Sequence, residues 1–423
     1  MLHIYRYLTF LLFPAFVILI YLRSIFNKED QVRYKEKIFS SSFKVNRNAK
    51  KKLFWFHAAS IGEVMSILTL IQEINISNKN IDFLITSVTL SSARLLDEKL
   101  VQYKNITHRF FPLDTEILAN NFLTLWKPDL IFFVESEIWP NFLFKIKEKK
   151  IPLILINGRI TKKTFNKWEI ISSFAKKVFE NFDLCLAASE ASRDNLEKLY
   201  VKNLKYIGNL KFSSKKNIEN LNTSNIKILN NFKTWCAVST HEGEESLIIK
   251  THLEIKKKYN NTLTIIIPRH IHRVSSIKNL SKEFNLNAQI LNKDDSINAS
   301  TEILIINSFG TLSKYFNYCK NIFIGKSFLK KLEQVGGQNP IEAAKLGCKI
   351  FHGPYVYNFQ EIYKLLNSYG ISEQVDNEIE LSNKIIKNFQ NPNTTNRQQI
   401  ESLSIYGEKI LKQTVTELDK FIR

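Results

Sequence analysis

Hydrophobic and polar positions alternate along most of the chain in a strand-then-helix rhythm. Short apolar runs are followed by longer stretches whose apolar residues recur at helical spacing. This alternation favours a parallel sheet with helices on both faces. In the first half it predicts strands at residues 53–57, 81–86, 108–111, 129–134, 152–156, 183–188 and 205–207.

A polar stretch at residues 213–231 interrupts the rhythm, which then begins again. The second half predicts strands at residues 234–238, 262–267, 302–306, 321–325 and 349–352. We therefore predict an α/β fold of two Rossmann-like doubly wound domains. Two such domains facing a cleft make the architecture called GT-B among glycosyltransferases, but the alternation by itself does not single it out. A two-domain dehydrogenase or ligase shows the same alternation, although no G-x-G-x-x-G follows a strand here.

The domain organisation predicted from this pattern has five parts. They are a membrane anchor at residues 1–27, a first domain at 28–212, a linker at 213–231, a second domain at 232–400 and a C-terminal helix at 401–423 that could pack back on the first domain.

The anchor is predicted from residues 8–22 (LTFLLFPAFVILIYL), which carry no charge. A cleaved signal peptide is the main rival, but no small-residue cleavage site follows. Pro14 weakens a spanning helix, so an anchor lying in the membrane interface stays open. Residues 23–52 hold ten Lys and Arg against three Asp and Glu, which predicts that the large C-terminal part faces the cytoplasm.

Composition narrows the choice of partners only in part. The net charge of +20 over 423 residues would attract the phosphates of nucleotides, anionic lipids or nucleic acid. A nucleic-acid binder is the less favoured alternative, because interleaved aromatic and basic motifs are missing. The four cysteines lie far apart, and His270 and His272 have no acidic or cysteine partner at ligand spacing, so we predict neither a metal nor a cofactor.

Two loops carry the candidate chemistry. Residues 336–344 (GGQNPIEAA) place a glycine pair before a predicted helix, a position that suits a phosphate group. Residues 57–63 (HAASIGE) form a similar loop that ends in a carboxylate, which suits a general base. Together they predict group transfer from a phosphate-bearing donor.

Several further segments appear in a fixed order along the chain and together resemble one family. They are residues 135–141 (ESEIWPN), 157–159 (NGR), 208–212 (GNLKF), 239–245 (STHEGEE) and 268–273 (PRHIHR), between the two loops above. From the anchor to about residue 359 the chain is similar to the 3-deoxy-D-manno-octulosonic acid (Kdo) transferases of lipopolysaccharide biosynthesis, which are GT-B glycosyltransferases.

The resemblance implies an inverting transfer of Kdo from CMP-Kdo to the lipid A precursor, lipid IVA. It places the enzyme at the cytoplasmic face of the cell inner membrane, next to anionic lipids, and implies no nucleic-acid partner. Glu63 matches the general base of the family, and Glu135 and Lys211 match its transition-state stabilisers. Glu137, two residues beyond Glu135, is the neighbour with which it could be confused.

The resemblance also implies a CMP-binding set in the second domain. Its members are Pro268, Arg269, Phe309, Gly310, Thr311, Asn339, Pro340, Ile341 and Glu342. Thr311 stands where the family commonly has glutamate, and Gln338 stands where histidine is usual. A membrane-associated GT-B transferase that uses another nucleotide sugar is the chief alternative, and the number of Kdo units added is left open.

Overall fold

The protein is described by a computed structural model that covers residues 1–215, 220–293, 295–308, 310, 312–391 and 397–422. The chain divides into two compact units. Unit 1 comprises Met1–Lys215 and Tyr406–Arg423, and unit 2 comprises Lys216–Ile405.

Unit 1 is built on a seven-stranded sheet in which all paired strands are parallel. Its strands are β1 (Lys52–His57), β2 (Ile81–Ser87), β3 (Ile106–Phe110), β4 (Leu130–Val134), β5 (Leu153–Gly158), β6 (Leu184–Ala187) and β7 (Leu204–Tyr206). Its helices before residue 215 are α1 (Leu2–Ile25), α2 (Ile61–Ser77), α3 (Leu90–Lys99), α4 (Glu116–Trp126), α5 (Pro140–Glu148), α6 (Lys162–Glu169), α7 (Ser172–Phe179) and α8 (Glu190–Lys198). The strand order is β3-β2-β1-β4-β5-β6-β7.

Unit 2 contains a second parallel sheet of seven strands. Its strands are β8 (Lys233–Thr240), β9 (Thr262–Pro268), β10 (Ala288–Leu291), β11 (Ile303–Ile306), β12 (Asn321–Ile324), β13 (Lys349–His352) and β14 (Ser372–Gln374). Its helices are α9 (Thr223–Leu229), α10 (Glu244–Lys256), α11 (Val274–Glu283), α12 (Leu312–Phe316), α13 (Ile341–Lys345), α14 (Gln360–Ser368) and α15 (Glu378–Gln390), and α16 (Arg397–Ile422) ends the chain. The strand order is β10-β11-β9-β8-β12-β13-β14.

The central strands are buried on both faces, which is why they read as continuous apolar runs. Every residue of β4 (LIFFV) and of β9 (TLTIIIP) is buried. On one face of the first sheet, Trp55 packs against Phe122, Phe133 and Phe142 in an aromatic core. The two parallel sheets confirm the predicted doubly wound α/β fold class.

The element pattern agrees closely with the sequence, with a few informative differences. Every predicted strand is present to within about two residues at each end, a normal boundary uncertainty. Strands β10 and β14 were not predicted. The stretch predicted as a linker contains α9, where Asn225 accepts a hydrogen bond from Ile297 N at 2.9 Å. Residues 216–219 of that stretch lie outside the described residues.

The C-terminal helix α16 is divided between the two units, and its first residues, up to Ile405, belong to unit 2. Its residues from Tyr406 onward are part of unit 1. There the Tyr406 ring meets that of Phe212 edge-on at 5.2 Å between centroids, and Lys205 Nζ lies 2.6 Å from Glu417 Oε2.

Each sheet has a point at which the strand order changes direction. In unit 1 this lies between β1 and β4, and in unit 2 it lies between β8 and β12. Ligands of open α/β sheets bind outside the carboxyl ends of the strands at such points. The loops after these four strands are therefore the places to look for a site.

Candidate active site

Glu63 lies in the first turn of α2, directly after β1 at the direction change of the first sheet. Ser60 is the N-cap, and its hydroxyl donates to Glu63 Oε1 at 2.6 Å. Ala59 N donates to Glu63 Oε2 at 2.8 Å, and Ser60 Oγ accepts from Glu63 N at 3.4 Å. This is a capping-box arrangement, which fixes the carboxylate at the end of the strand.

The electrostatic environment makes Glu63 unusual for a capping acid. Only 7% of the surface of Glu63 is exposed. Burial raises the pKa of Glu63 to about 7, the negative charges of Glu135 and Glu137 add to the increase, and the hydrogen bonds from Ser60 and Ala59 oppose it. A carboxyl group with a pKa near the working pH is well suited to accept a proton in a reaction.

Glu135 follows β4, on the other side of the same direction change. Its backbone is left-handed, with φ of 57°, a conformation that is uncommon for a residue with a side chain. Glu135 N donates to Ile156 O at 3.1 Å, and Arg159 N donates to Glu135 O at 3.2 Å. These contacts with β5 and the residue after it hold the carboxylate in place.

Lys211 is paired with Glu135 through an ion pair between Nζ and Oε1. A Cβ placed on Gly62 would lie 3.4 Å from Lys211 Cε and 3.7 Å from its Nζ. The ammonium group is therefore next to the first turn of α2, one residue before Glu63. The structure thus brings together the three residues that the sequence singled out for catalysis.

Asn157 supports this group, and the sequence had assigned it no role. Asn157 Nδ2 donates to Glu135 Oε1 at 3.3 Å, and its Oδ1 accepts from Leu210 N at 2.9 Å. It thereby connects the loop after β4 to the short turn that carries Lys211. Its φ of 53° was not visible in the sequence, although its place in the NGR segment was a signal.

Glu137 has a different set of partners, which separates it from Glu135. His57 Nε2 lies 3.1 Å from Glu137 Oε2, and Trp139 Nε1 donates to the same oxygen at 2.8 Å. Burial acts to raise the pKa of Glu137, but the hydrogen bonds from His57 and Trp139 outweigh it and keep that pKa below its ordinary value. Glu137 is therefore an ionised group that orients the loop.

Unit 2 has a comparable arrangement at its own direction change, organised by Glu244. This carboxylate is fully buried and accepts four backbone N–H groups. Oε2 accepts from His241 at 2.9 Å and from Lys326 at 2.7 Å, while Oε1 accepts from Ser327 at 2.9 Å and from Phe328 at 3.0 Å. Glu244 thereby joins the loop after β8 to the loop after β12, a role that the sequence did not indicate.

The glycine pair Gly336-Gly337 allows two backbone segments to approach each other closely. A Cβ on Gly336 would lie 2.1 Å from Tyr355 O, and Gly337 has φ of 91°. Gly337 N donates to Lys326 O at 2.6 Å, which brings this loop to the end of β12. The predicted helix that follows is α13, which has only five residues, so its dipole is weaker than that of a longer helix.

The nucleotide-binding residues predicted in unit 2 differ in exposure. Arg269, Gly310, Asn339 and Glu342 are exposed, whereas Pro268, Pro340 and Ile341 are buried. Arg269 directly follows β9, and its N–H donates to Thr240 O at 3.1 Å. Phe309 and Thr311 lie outside the described residues. Among the residues that the structure covers, no cluster of His, Cys, Asp or Glu is arranged to hold a metal ion.

Comparisons with known proteins identify the family to which the chain is similar. The sequence model of the family described as 3-deoxy-D-manno-octulosonic-acid transferase (kdotransferase) matches residues 33–214. The 3-deoxy-D-manno-octulosonic acid transferase of Rickettsia bellii is 31% identical over 425 residues, covering 100% of this chain and 98% of that protein. The Haemophilus influenzae enzyme of the same name is 25% identical, covering 74% of this chain and 73% of that protein.

A solved structure supports the fold alone. The crystal structure of a glycosyltransferase from Rickettsia africae superposes with a TM-score of 0.57 at 12% identity, covering 88% of this chain and 99% of that one. The full-length similarity to the Rickettsia bellii protein shows the family directly. The chain therefore belongs to the 3-deoxy-D-manno-octulosonic acid transferase family and is a glycosyltransferase.

Proposed function

We propose that the protein transfers Kdo from CMP-Kdo to a lipid A precursor, lipid IVA, with inversion at the anomeric carbon. The observation that carries the proposal is the group formed by Glu63, Glu135 and Lys211 at the direction change of the first sheet. A carboxyl group with a raised pKa beside a fixed cation is the combination that a sugar transfer to an alcohol requires.

Glu63 acts as the general base in this proposal. It removes the proton of the acceptor hydroxyl while that oxygen forms a bond to the anomeric carbon of Kdo. The bond between this carbon and the phosphate oxygen breaks, and CMP leaves with the electron pair. A single displacement of this kind inverts the configuration at the anomeric carbon.

Lys211 and Glu135 act on the charges of the transition state. Negative charge builds on the departing phosphate and positive charge builds on the sugar ring, so fixed groups of opposite sign lower the barrier. The ion pair between Lys211 and Glu135 keeps both groups in place before substrate arrives. Because Asn157 also holds Glu135, little rearrangement is needed during the reaction.

The cytidine monophosphate is assigned to unit 2. Arg269, exposed at the end of β9, offers a planar guanidinium that can bind phosphate or the cytosine ring. Asn339 and Glu342 offer exposed polar side chains for the ribose. Pro340 and Ile341 are buried, so any contact they make with the nucleotide is through the backbone.

The acceptor is a lipid, which gives α1 a purpose. The helix Leu2–Ile25 is long and apolar enough to cross a membrane, and only 11% of its most apolar stretch is buried. With the basic segment that follows, it would hold residues 28–212 and the rest of the enzyme at the cytoplasmic face of the inner membrane, next to anionic lipids.

The choice of sugar donor is tested in membrane fractions. Labelled CMP-Kdo and labelled UDP-N-acetylglucosamine are supplied separately with lipid IVA, and label in the lipid is measured by mass spectrometry. We expect incorporation from CMP-Kdo only. Incorporation only from the UDP donor would overturn the proposal.

A matched pair of variants on α2 separates catalysis from charge. We expect Glu63→Gln to lower kcat by at least about 100-fold, the usual loss for a general base. Glu73→Gln removes an exposed carboxylate from the same helix and should leave kcat unchanged. Equal activity of the two variants would remove Glu63 from the mechanism.

A further inference from the structure

Trp139 lies in the loop after β4 that also carries Glu135, and protein contacts hold its indole ring in one place. Its Nε1 donates to Glu137 Oε2 at 2.8 Å. Its ring lies next to the buried ring of Phe111, with 5.6 Å between centroids and 38° between planes. Trp139 itself is only half-buried, so part of its surface remains accessible to a ligand.

Glu137 fixes the indole through a connected set of contacts. His57 Nε2 lies 3.1 Å from the same Glu137 oxygen, and the imidazole stacks on Phe111 with 3.8 Å between centroids. His57 is fully buried, and its Nδ1 lies 3.0 Å from Thr86 Oγ1. The contacts therefore run from β1 and β2 through Glu137 to Trp139. They fix the ring before a ligand arrives, which lowers the entropy cost of binding.

This ring lies beside the proposed base. His57 ends β1, and α2, which carries Glu63 in its first turn, begins four residues later. Burial and the charge of Glu135 raise the pKa of Glu63, and the charge of Glu137 adds to this effect. The carboxylate that holds Trp139 is therefore within electrostatic reach of Glu63.

Exposure and position distinguish Trp139 from the other tryptophans. Three of the five are fully buried, namely Trp55, Trp126 and Trp235. Trp168 is half-buried like Trp139, but it lies on α6, where its ring packs edge-on against Phe179 at 5.3 Å between centroids. Trp139 instead belongs to the loop between β4 and α5, at the sheet edge where ligands of open α/β sheets bind.

The accessible part of an indole suits a sugar ring. One face of a pyranose is lined with C–H groups, and the face of an aromatic ring is negatively polarised, so the two pack together favourably. We propose that Trp139 is a binding residue for the acceptor sugar, and that its indole packs against the pyranose whose hydroxyl gives its proton to Glu63. Glu137, held by His57, is the positioning residue for this indole. The inference rests on the proposed function and adds the means by which the acceptor is oriented.

Kinetic constants of the full-length protein in detergent micelles test the contact. Trp139→Leu removes the ring, and Trp168→Leu makes the same change at the other half-buried tryptophan. We expect Trp139→Leu to raise KM for lipid IVA by about tenfold, the usual contribution of an aromatic contact, with KM for CMP-Kdo unchanged. Trp168→Leu should change neither constant. An unchanged KM for lipid IVA in Trp139→Leu, equal rises in both constants, or the same rise in Trp168→Leu would overturn the inference.

Variants of Glu137 test its positioning role. Glu137→Gln keeps an oxygen that accepts from the indole N–H, whereas Glu137→Ala keeps none. We expect Glu137→Ala to raise KM for lipid IVA as much as Trp139→Leu does, and Glu137→Gln to stay within about threefold of the parent. Equal KM values for the two Glu137 variants would contradict this role.

Indole fluorescence gives a readout that does not depend on activity. The parent and the conservative variants Trp139→Phe and Trp168→Phe are titrated with lipid IVA and, separately, with phosphatidylglycerol, which has acyl chains but no sugar ring. We expect lipid IVA to change the emission of the parent and of Trp168→Phe but not that of Trp139→Phe. A full change in Trp139→Phe, or an equal change with phosphatidylglycerol, would overturn the inference. A parent that responds to lipid IVA as expected but transfers no Kdo from CMP-Kdo would overturn the proposed function alone.

Discussion

Glu63 has the position of a helix-capping acid and also the raised pKa of a candidate general base, and its surroundings explain how it can have both. It caps α2 through Ser60 and Ala59, as an acid near a helix start commonly does. An acid with only this purpose would be exposed and would ionise easily. Glu63 is instead buried beside a second carboxylate, so the capping contacts fix the position of a group whose proton affinity is high.

This environment predicts the acidic limb of the rate profile. Only ionised Glu63 can accept a proton, so kcat/KM should rise with pH and level off above a pKa of about 7. Ser60→Ala removes a hydrogen bond that favours the ionised form and should move the limb to higher pH. Glu135→Gln removes a negative charge and should move it to lower pH, besides lowering the rate. The measurement is kcat/KM as a function of pH, over roughly two pH units on each side of the expected pKa of about 7.

Glu73→Gln on the exposed side of α2 is the control for this profile and should leave the limb in place. The Ser60→Ala protein also loses an N-cap, at a cost of about 1 kcal/mol in stability, so rates are compared well below its melting temperature. A limb that stays at the same pH in both Ser60→Ala and Glu135→Gln would show that another group titrates.

At the level of elements, the strands could be predicted because burial on both faces makes them apolar throughout, as in β4 and β9. Strand β14 has the sequence Ser-Glu-Gln, and only its pairing with β13 makes it a strand, so no local pattern could reveal it. The strand order was likewise beyond the sequence. It is this order that puts the loops after β1 and β4 side by side and brings Glu63 near Glu135.

The sequence could identify individual residues of the candidate site that lie in recognisable segments. It could not predict which of these residues contact each other when they are far apart in the chain. Glu63, Glu135 and Lys211 were each singled out, but their meeting depends on left-handed backbone at Glu135 and Asn157. In unit 2, the glycine pair suggested a phosphate site, while the structure shows that Gly336 is required by the approach of Tyr355 O. The phosphate site at this loop stays a prediction.

Glu244 gives the element-level prediction. Its carboxylate is shielded from solvent and accepts hydrogen bonds from four backbone N–H groups of two loops. A glutamine at this position would direct its own NH2 group, which is a donor, at some of these N–H donors. We expect Glu244→Gln to reduce stability by about 2 kcal/mol or more, because hydrogen bonds to a buried charge are lost. Differential scanning calorimetry should show a lower melting temperature for the transition of unit 2.

The neighbouring exposed carboxylate supplies the control, since Glu242→Gln changes the same charge in the same loop. Its effect should remain within about 0.5 kcal/mol, as for ordinary surface substitutions. Equal melting temperatures for the two variants would show that the loops after β8 and β12 are held without Glu244.

At the scale of the whole molecule, each unit has loops at the direction change of its own sheet that carry some of the functional candidates. In unit 1 these are the loops after β1 and β4, and in unit 2 they are the loops after β8 and β12. The general rule for open α/β sheets therefore points to Glu63 and Glu135 independently of the family comparison, whereas Arg269 follows β9, beside the direction change of the second sheet. Net charge is the remaining whole-molecule property, and it bears on the proposed association with membranes.

The net charge of +20 predicts salt-sensitive binding to membranes. Each Lys or Arg near an anionic surface contributes about 1 kcal/mol, and the screening length falls from about 10 Å at 0.1 M salt to about 3 Å at 1 M. Binding to vesicles with anionic lipid should therefore weaken at least about tenfold between these concentrations. A residual affinity, equal to that for zwitterionic vesicles, should persist because the exposed apolar side of α1 is not screened by salt. Vesicle flotation measures both.

The basic segment after α1 should account for more of this effect than lysines elsewhere. Lys28→Gln with Lys35→Gln removes two exposed charges from that segment, whereas Lys258→Gln with Lys282→Gln removes two exposed charges from unit 2. We expect the first pair to weaken binding to anionic vesicles at 0.1 M salt by roughly tenfold or more and the second pair to change it little. Equal losses would mean that total charge governs binding. The basic flank would then have no special part in membrane binding.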